Sequence, residues 1–120
     1  MRGVPQTIKV GAVDYTIHVE DTTDGEYGEC ISHTQRIRMA RNQTAQGAGD
    51  TLLHELLHAI WYESGLFDVK RIDEERVVRT TATWLKMVFR DNPHTAEFIL
   101  HPEEHWPFTA EQNESTNVKS

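Results

Sequence analysis

The sequence contains almost no cysteine and no long apolar segment. Cys30 is the only cysteine, which excludes an intrachain disulfide framework and a zinc site made of several cysteines. No apolar run approaches the roughly 20 residues that a membrane-spanning helix needs. The first ten residues, MRGVPQTIKV, lack the apolar core of a signal peptide. We therefore expect a protein of the reducing cytoplasm with no membrane partner.

Positive charge is also scarce. The chain has 12 lysine and arginine residues against 19 aspartate and glutamate residues, which gives a formal net charge of −7. This balance argues against general affinity for nucleic acid or for an anionic membrane surface. A length of 120 residues suffices for one domain with one modest core. We assign that domain to residues 1–110 and expect the polar residues 111–120 to form a flexible tail.

The N-terminal third of the chain has the alternation typical of β-strands. Residues 7–10 and 14–19 alternate apolar and polar side chains on either side of a turn at Gly11 and Ala12. A second hairpin is predicted between residues 30–32 and 36–39, and the arginines of the latter segment suggest an edge strand. The side chains expected to be buried in the first hairpin are Ile8, Val10, Tyr15, Ile17 and Val19.

Residues 51–65, TLLHELLHAIWYESG, combine helical apolar spacing with an HExxH pattern. The helix begins either after Thr44, with two glycines inside it, or after a cap at Asp50. Gly65 is a suitable residue to end it. The apolar residues form a surface broad enough to require a central position in the core: Leu52, Leu53, Leu56, Leu57, Ile60 and Trp61.

A second helix is predicted over residues 72–89. Asp73, Glu74 and Glu75 lie in its first turn, where the helix dipole favours acidic side chains, and Pro93 ends it. A short further helical turn is expected over 95–100. One apolar stripe at helical period is expected to pack this helix on the core: Val77, Val78, Thr81, Ala82, Leu85, Val88 and Phe89.

The HExxH pattern places two potential metal ligands on one helix face. His54 and His58 are four residues apart, just over one helical turn, so their imidazoles project one above the other. This pair can bind one Zn²⁺, and Glu55 is positioned to act as general base toward a water on the metal. A chance pattern in a core helix is the alternative. Burying two histidines without partners would be costly, which favours the metal site.

A catalytic zinc site needs a third protein ligand. The extended HExxHxxGxxH pattern is absent, because Trp61 and Ser64 stand where it requires glycine and histidine. The acidic residues that open the second helix are the natural source of a third ligand. The positions of these residues around the helix do not decide between Glu74 and Glu75 as the third ligand, since Glu74 points to the middle of the apolar stripe and Glu75 to its edge.

The segments TLLHELLHAIW and DEERVVRTTATWLKMVFRDNP together resemble small zincin-like metallopeptidase-type proteins of phages and prophages. More distantly they are similar to the ImmA/IrrE peptidases, which are gluzincins with HExxH and a downstream glutamate. The resemblance covers roughly residues 43–93. It implies a phage or prophage origin and, through its spacing to Ala82 and Leu85, selects Glu75 as the third ligand. Arg79 departs from the family pattern and is placed to pair with Glu75.

Three further segments are candidates for a functional role. Tyr62 lies one turn after His58 and is a candidate for oxyanion stabilisation, although packing is the more common role. His101 and His105, in HPEEHW, share metal-type spacing but are expected in a surface turn because prolines interrupt the segment. The predicted edge strand at 36–39 is our candidate for binding a substrate backbone by strand addition.

The sequence thus predicts an α+β, minimal zincin-like fold, in which a small, mostly antiparallel sheet packs on the HExxH helix and a second helix. The predicted function is zinc-dependent hydrolysis of peptide bonds in a peptide or protein substrate. His54, His58 and Glu75 are the expected Zn²⁺ ligands, and Glu55 is the expected general base. The alternative is a non-catalytic module of phage origin in which zinc stabilises a small core that binds a protein partner.

Overall fold

The computed structural model describes residues 3–21 and 25–108. Its elements are β1 (Thr7–Val10), β2 (Val13–Glu20), β3 (Gly28–Ile31), β4 (Arg36–Ala40), α1 (Ala45–Glu63), α2 (Glu74–Asp91) and α3 (Pro93–Leu100). The strands form one sheet in the order β1-β2-β4-β3, with β2 and β4 parallel and the other two pairs antiparallel. The fold is therefore α+β, with a mixed, mostly antiparallel sheet packed against three helices, and this confirms the predicted class.

Both predicted hairpins are present. Gly11 turns between β1 and β2 with a φ of 64°, and a β-carbon there would lie 2.6 Å from the ring of Trp84, so glycine is required on two grounds. The second hairpin passes through a short 3-10 turn and then Gln35, which has a φ of 52°. Ile8 and Tyr15 pair across the first hairpin and are fully buried, as expected, whereas Ile17 and Val19 are half-buried.

The predicted edge position of residues 36–39 is wrong. β4 lies between β2 and β3, so both of its edges are hydrogen-bonded, and β3 is the edge strand on this side of the sheet. The alternation itself was informative, since Ile37 and Met39 are fully buried while Arg36 is exposed. A buried strand face is compatible with either position. Strand order depends on the parallel pairing of β2 with β4, which the local pattern does not encode.

Helix α1 is the longer of the two predicted alternatives. Thr44 caps it by accepting a hydrogen bond from the backbone N–H of Gly47 at 3.0 Å, and Gly65, with a φ of 84°, follows its C-terminal end. A β-carbon on Gly49 would lie 3.1 Å from Pro102, which explains one internal glycine. The apolar surface of α1 divides into buried Leu52, Leu56 and Ile60 and partly exposed Leu57 and Trp61.

Helix α2 begins at Glu74, where Asp73 caps it by accepting from the backbone N–H of Arg76. The predicted apolar stripe is buried only toward its C-terminal end. Val88 is the single fully buried residue of α2, whereas Val78 is 56% exposed. The N-terminal half of α2 therefore has little contact with the core, and the expectation of a fully packed stripe is wrong.

The C-terminal part adds α3 and a 3-10 turn at Pro102–Glu104. The expectation of a surface turn at HPEEHW is only half right, because His101 is exposed whereas His105 and Trp106 are buried. The indole N–H of Trp106 donates to the carbonyl oxygen of Gln43 at 3.0 Å, which ties this segment to the start of α1. Residues 111–120, the predicted tail, lie outside the described residues. Within the described ranges, no helix has the length and apolar character that crossing a membrane demands.

Candidate metal centre

The two histidines of the HExxH pattern stand together on the exposed side of α1. The ring centroids of His54 and His58 are 4.9 Å apart, with the ring planes at 73° to each other, and both side chains are exposed. The rings lie together because of their i,i+4 spacing. They are exposed because α1 packs on the core through its other side, where Leu52, Leu56 and Ile60 are buried. The imidazole nitrogens are therefore accessible to an ion or a substrate from solvent.

Glu55 has the opposite environment. It is only 7% exposed, and its carboxylate forms no hydrogen bond with any residue in the described ranges 3–21 and 25–108. Burial raises the pKa of this carboxyl group, while His54 and His58 act in the lowering direction. The carboxylate oxygens of Glu55 are not among the fully buried atoms, so a mostly buried side chain presents an unpartnered carboxylate to the surface of α1.

Strand β3 forms the wall opposite Glu55. Gly28 approaches α1 so closely that a β-carbon would lie 2.5 Å from Cγ2 of Thr51 and 3.2 Å from both Cγ and Oε2 of Glu55. Thr51 is held in place because its hydroxyl donates to the side-chain oxygen of Gln43 at 2.8 Å. The absence of a side chain at Gly28 thus allows the edge strand to lie directly against the helix that bears the two histidines.

Two clefts meet at Gly28, His54 and Glu55. The first, which we call the acidic cleft, has a volume of about 460 Å³ and is lined by Gly25, Glu26, Tyr27, Gly28, Asp50, Thr51, His54 and Glu55. The second, which we call the aromatic cleft, has a volume of about 430 Å³ and is lined by Gly28, Glu29, Cys30, Ser32, His54, Glu55, His58, Trp61 and Tyr62. Together they form a groove that runs between β3 and α1 across the HExxH residues.

The third predicted ligand is not with the histidines in this structure. The Glu75 carboxylate accepts a hydrogen bond from Arg79 at 3.0 Å, and both side chains are about three-quarters exposed (74% and 75%). No carboxylate, thiol or imidazole of the described residues completes a group of three ligand atoms within 4.8 Å of one another that includes both His54 and His58. Glu74 is likewise exposed. His54 and His58 thus offer two nitrogen donors of the type that zinc binds, with Glu55 beside them, whereas Glu75, the predicted third ligand, is paired with Arg79.

Tyr62 lies at the far end of the groove. Its ring stacks on Phe67 with centroids 4.8 Å apart and planes at 16°, and 39% of the residue is exposed. Tyr62 also lines the aromatic cleft, so part of its side chain borders the groove.

Several groove residues were not identified from the sequence. Cys30 and Gly28 belong to a short strand whose edge position depends on the sheet order, so local spacing gives no signal for them. Asp50 was considered only as a helix cap, yet it lies within α1, four residues before His54 and on the same face. Its i,i+4 spacing from His54, a proposed ligand, was the feature of the sequence that could have identified Asp50 as a groove residue.

A second acid–histidine group lies away from the groove. Ligand-type atoms of Glu97, Glu104 and His105 come within 4.8 Å of one another, and the imidazole of His105 is 3.5 Å from the Glu97 carboxylate. Both carboxylates are exposed, an arrangement that is common without an ion. This group therefore gives no support to a metal centre.

The likeness of the chain to known proteins was tested in three ways. Comparison with protein-family models, with curated protein sequences and with solved structures finds no significant match. The candidate centre therefore rests on its own geometry: two exposed histidines, a buried glutamate without a hydrogen bond, and a groove between β3 and α1.

Proposed function

We propose that this protein is a zinc-dependent hydrolase of peptide bonds with a minimal zincin-like fold. The observation that supports this most strongly is the position of Glu55. Glu55 is 7% exposed as a residue and its carboxylate forms no hydrogen bond with the described residues, yet it lines both clefts of a groove that two exposed histidines also line. A purely structural helix would gain nothing from an acid there, since an apolar residue would avoid the desolvation that raises the pKa of Glu55.

The chain's own residues divide into ligands and a base. His54 and His58 would hold Zn²⁺, and Glu75 is the proposed third ligand. Zinc bound there would supply a Lewis acid that polarises the scissile carbonyl and acidifies a water molecule. Glu55 takes the proton from the attacking water and passes it to the departing amine, and its raised pKa favours the first of these transfers, the uptake of the proton.

The groove suits an extended peptide. The backbone N–H of Ala40 donates to the carbonyl of Tyr27 at 2.9 Å. From Tyr27 onward, residues whose backbone groups are hydrogen-bonded to β4 therefore alternate with residues whose backbone groups point away from β4. This alternation puts the backbone groups of Gly28 and Cys30 on the unpaired edge. A substrate strand added there would lie along the groove with its backbone hydrogen-bonded to β3, and β3 replaces residues 36–39 as the candidate for strand addition.

Zinc ligation by Glu75 requires its carboxylate to leave Arg79. Two observations make this inexpensive. The ion pair is exposed, and such pairs contribute only about 0.3–0.5 kcal/mol. None of residues 74–81 is fully buried, and Val78 is 56% exposed, so the N-terminal turns of α2 can shift with little loss of buried packing.

The test separates metal binding from hydrolysis. Zinc stoichiometry is measured for the wild type, for the double variant His54→Ala/His58→Ala and for Glu55→Gln, and the zinc-loaded proteins are assayed on a broad library of quenched fluorescent peptides. We expect zinc to be lost in the double variant and retained in Glu55→Gln, whereas hydrolysis is lost in both. Full zinc retention in the double variant would exclude the proposed site.

The second candidate function is a non-catalytic zinc-stabilised module that binds a protein partner. The separation of Glu75 from the two histidines favours it, because an incomplete ligand set is less suited to catalysis. It predicts that zinc raises the melting temperature while the wild type cleaves no peptide in the library. Under the proposed hydrolase function, by contrast, the wild type cleaves and Glu55→Gln does not.

A further inference from the structure

The acidic cleft carries acidic residues beyond the proposed base Glu55. Glu26 and Asp50 also line it, and its lining contains no lysine or arginine. The side chain of Asp50 is exposed and forms no hydrogen bond or ion pair with another residue of the described ranges. A carboxylate at the mouth of a groove, without an internal counter-ion, is available to a cation from outside.

The adjacent acid, Glu29, differs from Asp50. Its carboxylate accepts from Nε and Nη2 of Arg38 at 3.2 and 3.0 Å, and the Arg38 side chain is only 16% exposed. The charge of Glu29 is thus offset within the protein. The Asp50 carboxylate has no such offset among the described residues, whereas the aromatic cleft presents Trp61 and Tyr62 at the other end of the groove.

Glu55 gives independent evidence that the acidic cleft is built for a ligand. It is more than nine-tenths buried, has no hydrogen-bond partner among the described residues, and lines this cleft. An acidic surface that only faces solvent keeps its carboxylates hydrated instead. Tyr27, also in the lining and 53% exposed, offers an aromatic face that suits the aliphatic stem and the charge of a long cationic side chain.

The position of Asp50 fixes where such a cation would lie. Asp50 precedes His54 by four residues on one helix face, which is about 6 Å along the axis. An extended peptide advances about 3.3 Å per residue, so a side chain that reaches Asp50 comes from about two residues away from the scissile bond. We infer that this site selects peptides that carry lysine or arginine at that position, with the cation bound between Asp50 and Tyr27. The inference rests on the proposed hydrolase function and names its substrate class.

The experiment uses the full-length, zinc-loaded protein and matched quenched fluorescent peptides. The peptides carry lysine, arginine, glutamine or glutamate at each position near the cleavage site. We expect the wild type to prefer lysine or arginine over glutamine by about threefold to tenfold in kcat/KM at one position. Asp50→Asn should remove that preference, and Asp50→Lys should transfer it to glutamate.

The matched control is Asp14→Asn. Asp14 is exposed on β2 and lines neither cleft, and its substitution changes the net charge by the same amount. The preference should persist in this variant. A wild type that cleaves all peptides equally would overturn the inference while leaving the hydrolase function intact, and so would equal losses in the Asp50→Asn and Asp14→Asn variants.

A binding measurement distinguishes the two possible failures. If the wild type cleaves none of the peptides, the hydrolase function fails, and the affinity of labelled lysine and glutamine peptides for the zinc-loaded protein then decides the cation site. Tighter binding of the lysine peptide that is lost in Asp50→Asn but kept in Asp14→Asn supports it. Equal binding of the two peptides overturns it.

Discussion

Gly28 and Thr51 approach so closely that a β-carbon on Gly28 would lie 2.5 Å from Cγ2 of Thr51. This contact joins the edge strand β3 to α1 directly beside Glu55. It determines the width of the groove and the position of the proposed base relative to the strand, so the proposed catalytic geometry depends on a residue that has no functional group of its own.

Gly28→Ala is therefore expected to destabilise the protein by about 1–3 kcal/mol, because the added methyl group overpacks a tight contact. Thr51→Ser removes Cγ2 but retains the hydroxyl that donates to Gln43 at 2.8 Å. The double variant Gly28→Ala/Thr51→Ser should recover most of the loss, as measured by urea unfolding of both single variants and the double variant. Strictly additive effects would show that the contact does not limit the approach of β3.

Glu75 is expected to bind zinc despite its ion pair with Arg79. Glu75→Ala should weaken zinc affinity by at least about tenfold, as expected for loss of a metal ligand. Arg79→Gln should strengthen it by about twofold, because the competing exposed ion pair is worth only a few tenths of a kcal/mol. Competition with a chromogenic chelator measures both. Glu74→Ala is the matched control, and a larger loss in that variant would assign the ligand to Glu74.

The side chain of Asn92 hydrogen-bonds to the backbone of Lys9 on the edge of β1 that pairs with no strand. Its side-chain oxygen accepts from the backbone N–H of Lys9 at 2.9 Å, and its amide nitrogen donates to the carbonyls of Lys9 and Val88, each at 2.8 Å. Asn92→Ala should lower the free energy of unfolding by about 1–3 kcal/mol. Asn92→Asp keeps the shape but cannot donate to either carbonyl, so it should be no more stable than Asn92→Ala. Chemical denaturation measures both variants, and wild-type stability in Asn92→Asp would contradict this role.

Tyr15 is expected to make stability fall at alkaline pH. The side chain is fully buried, and its hydroxyl donates to the Glu63 carboxylate at 2.8 Å. Burial first, and then the Glu63 carboxylate, raise the pKa of Tyr15 above its ordinary value of 10.0, against an opposing hydrogen bond with Ser32. Because the folded-state pKa lies above the unfolded one, the stabilisation is fully present below about pH 10 and is lost as pH rises further.

Tyr15→Phe tests this pH dependence. At neutral pH the variant should be less stable by about 1 kcal/mol, since one hydrogen bond is lost. The gap between wild type and variant should shrink as the pH rises above about 10, where the tyrosine ionises in the unfolded chain but stays protonated in the folded one. Urea unfolding at a series of pH values measures the gap, and a gap that does not change with pH would contradict the prediction.

The local chemistry of the chain was predictable wherever a short-range pattern determines it. Thr44, one of the two caps considered, caps α1, Gly65 follows its end, and the HExxH spacing brings the rings of His54 and His58 together on one helix face; Asp73, expected in the first turn of α2, instead caps it. Each of these outcomes depends on residues within about one helical turn of one another, so the sequence contains the necessary information.

The tertiary structure alone decided which strand borders the groove and which side chains meet there. The parallel pairing of β2 with β4 moves residues 36–39 to the interior of the sheet and places Gly28 against α1. The same packing leaves the first half of α2 exposed, so Glu75 pairs with Arg79 and does not join the histidines. Strand order and helix docking follow from the burial of the whole core, and a periodic pattern within one element is compatible with several such arrangements.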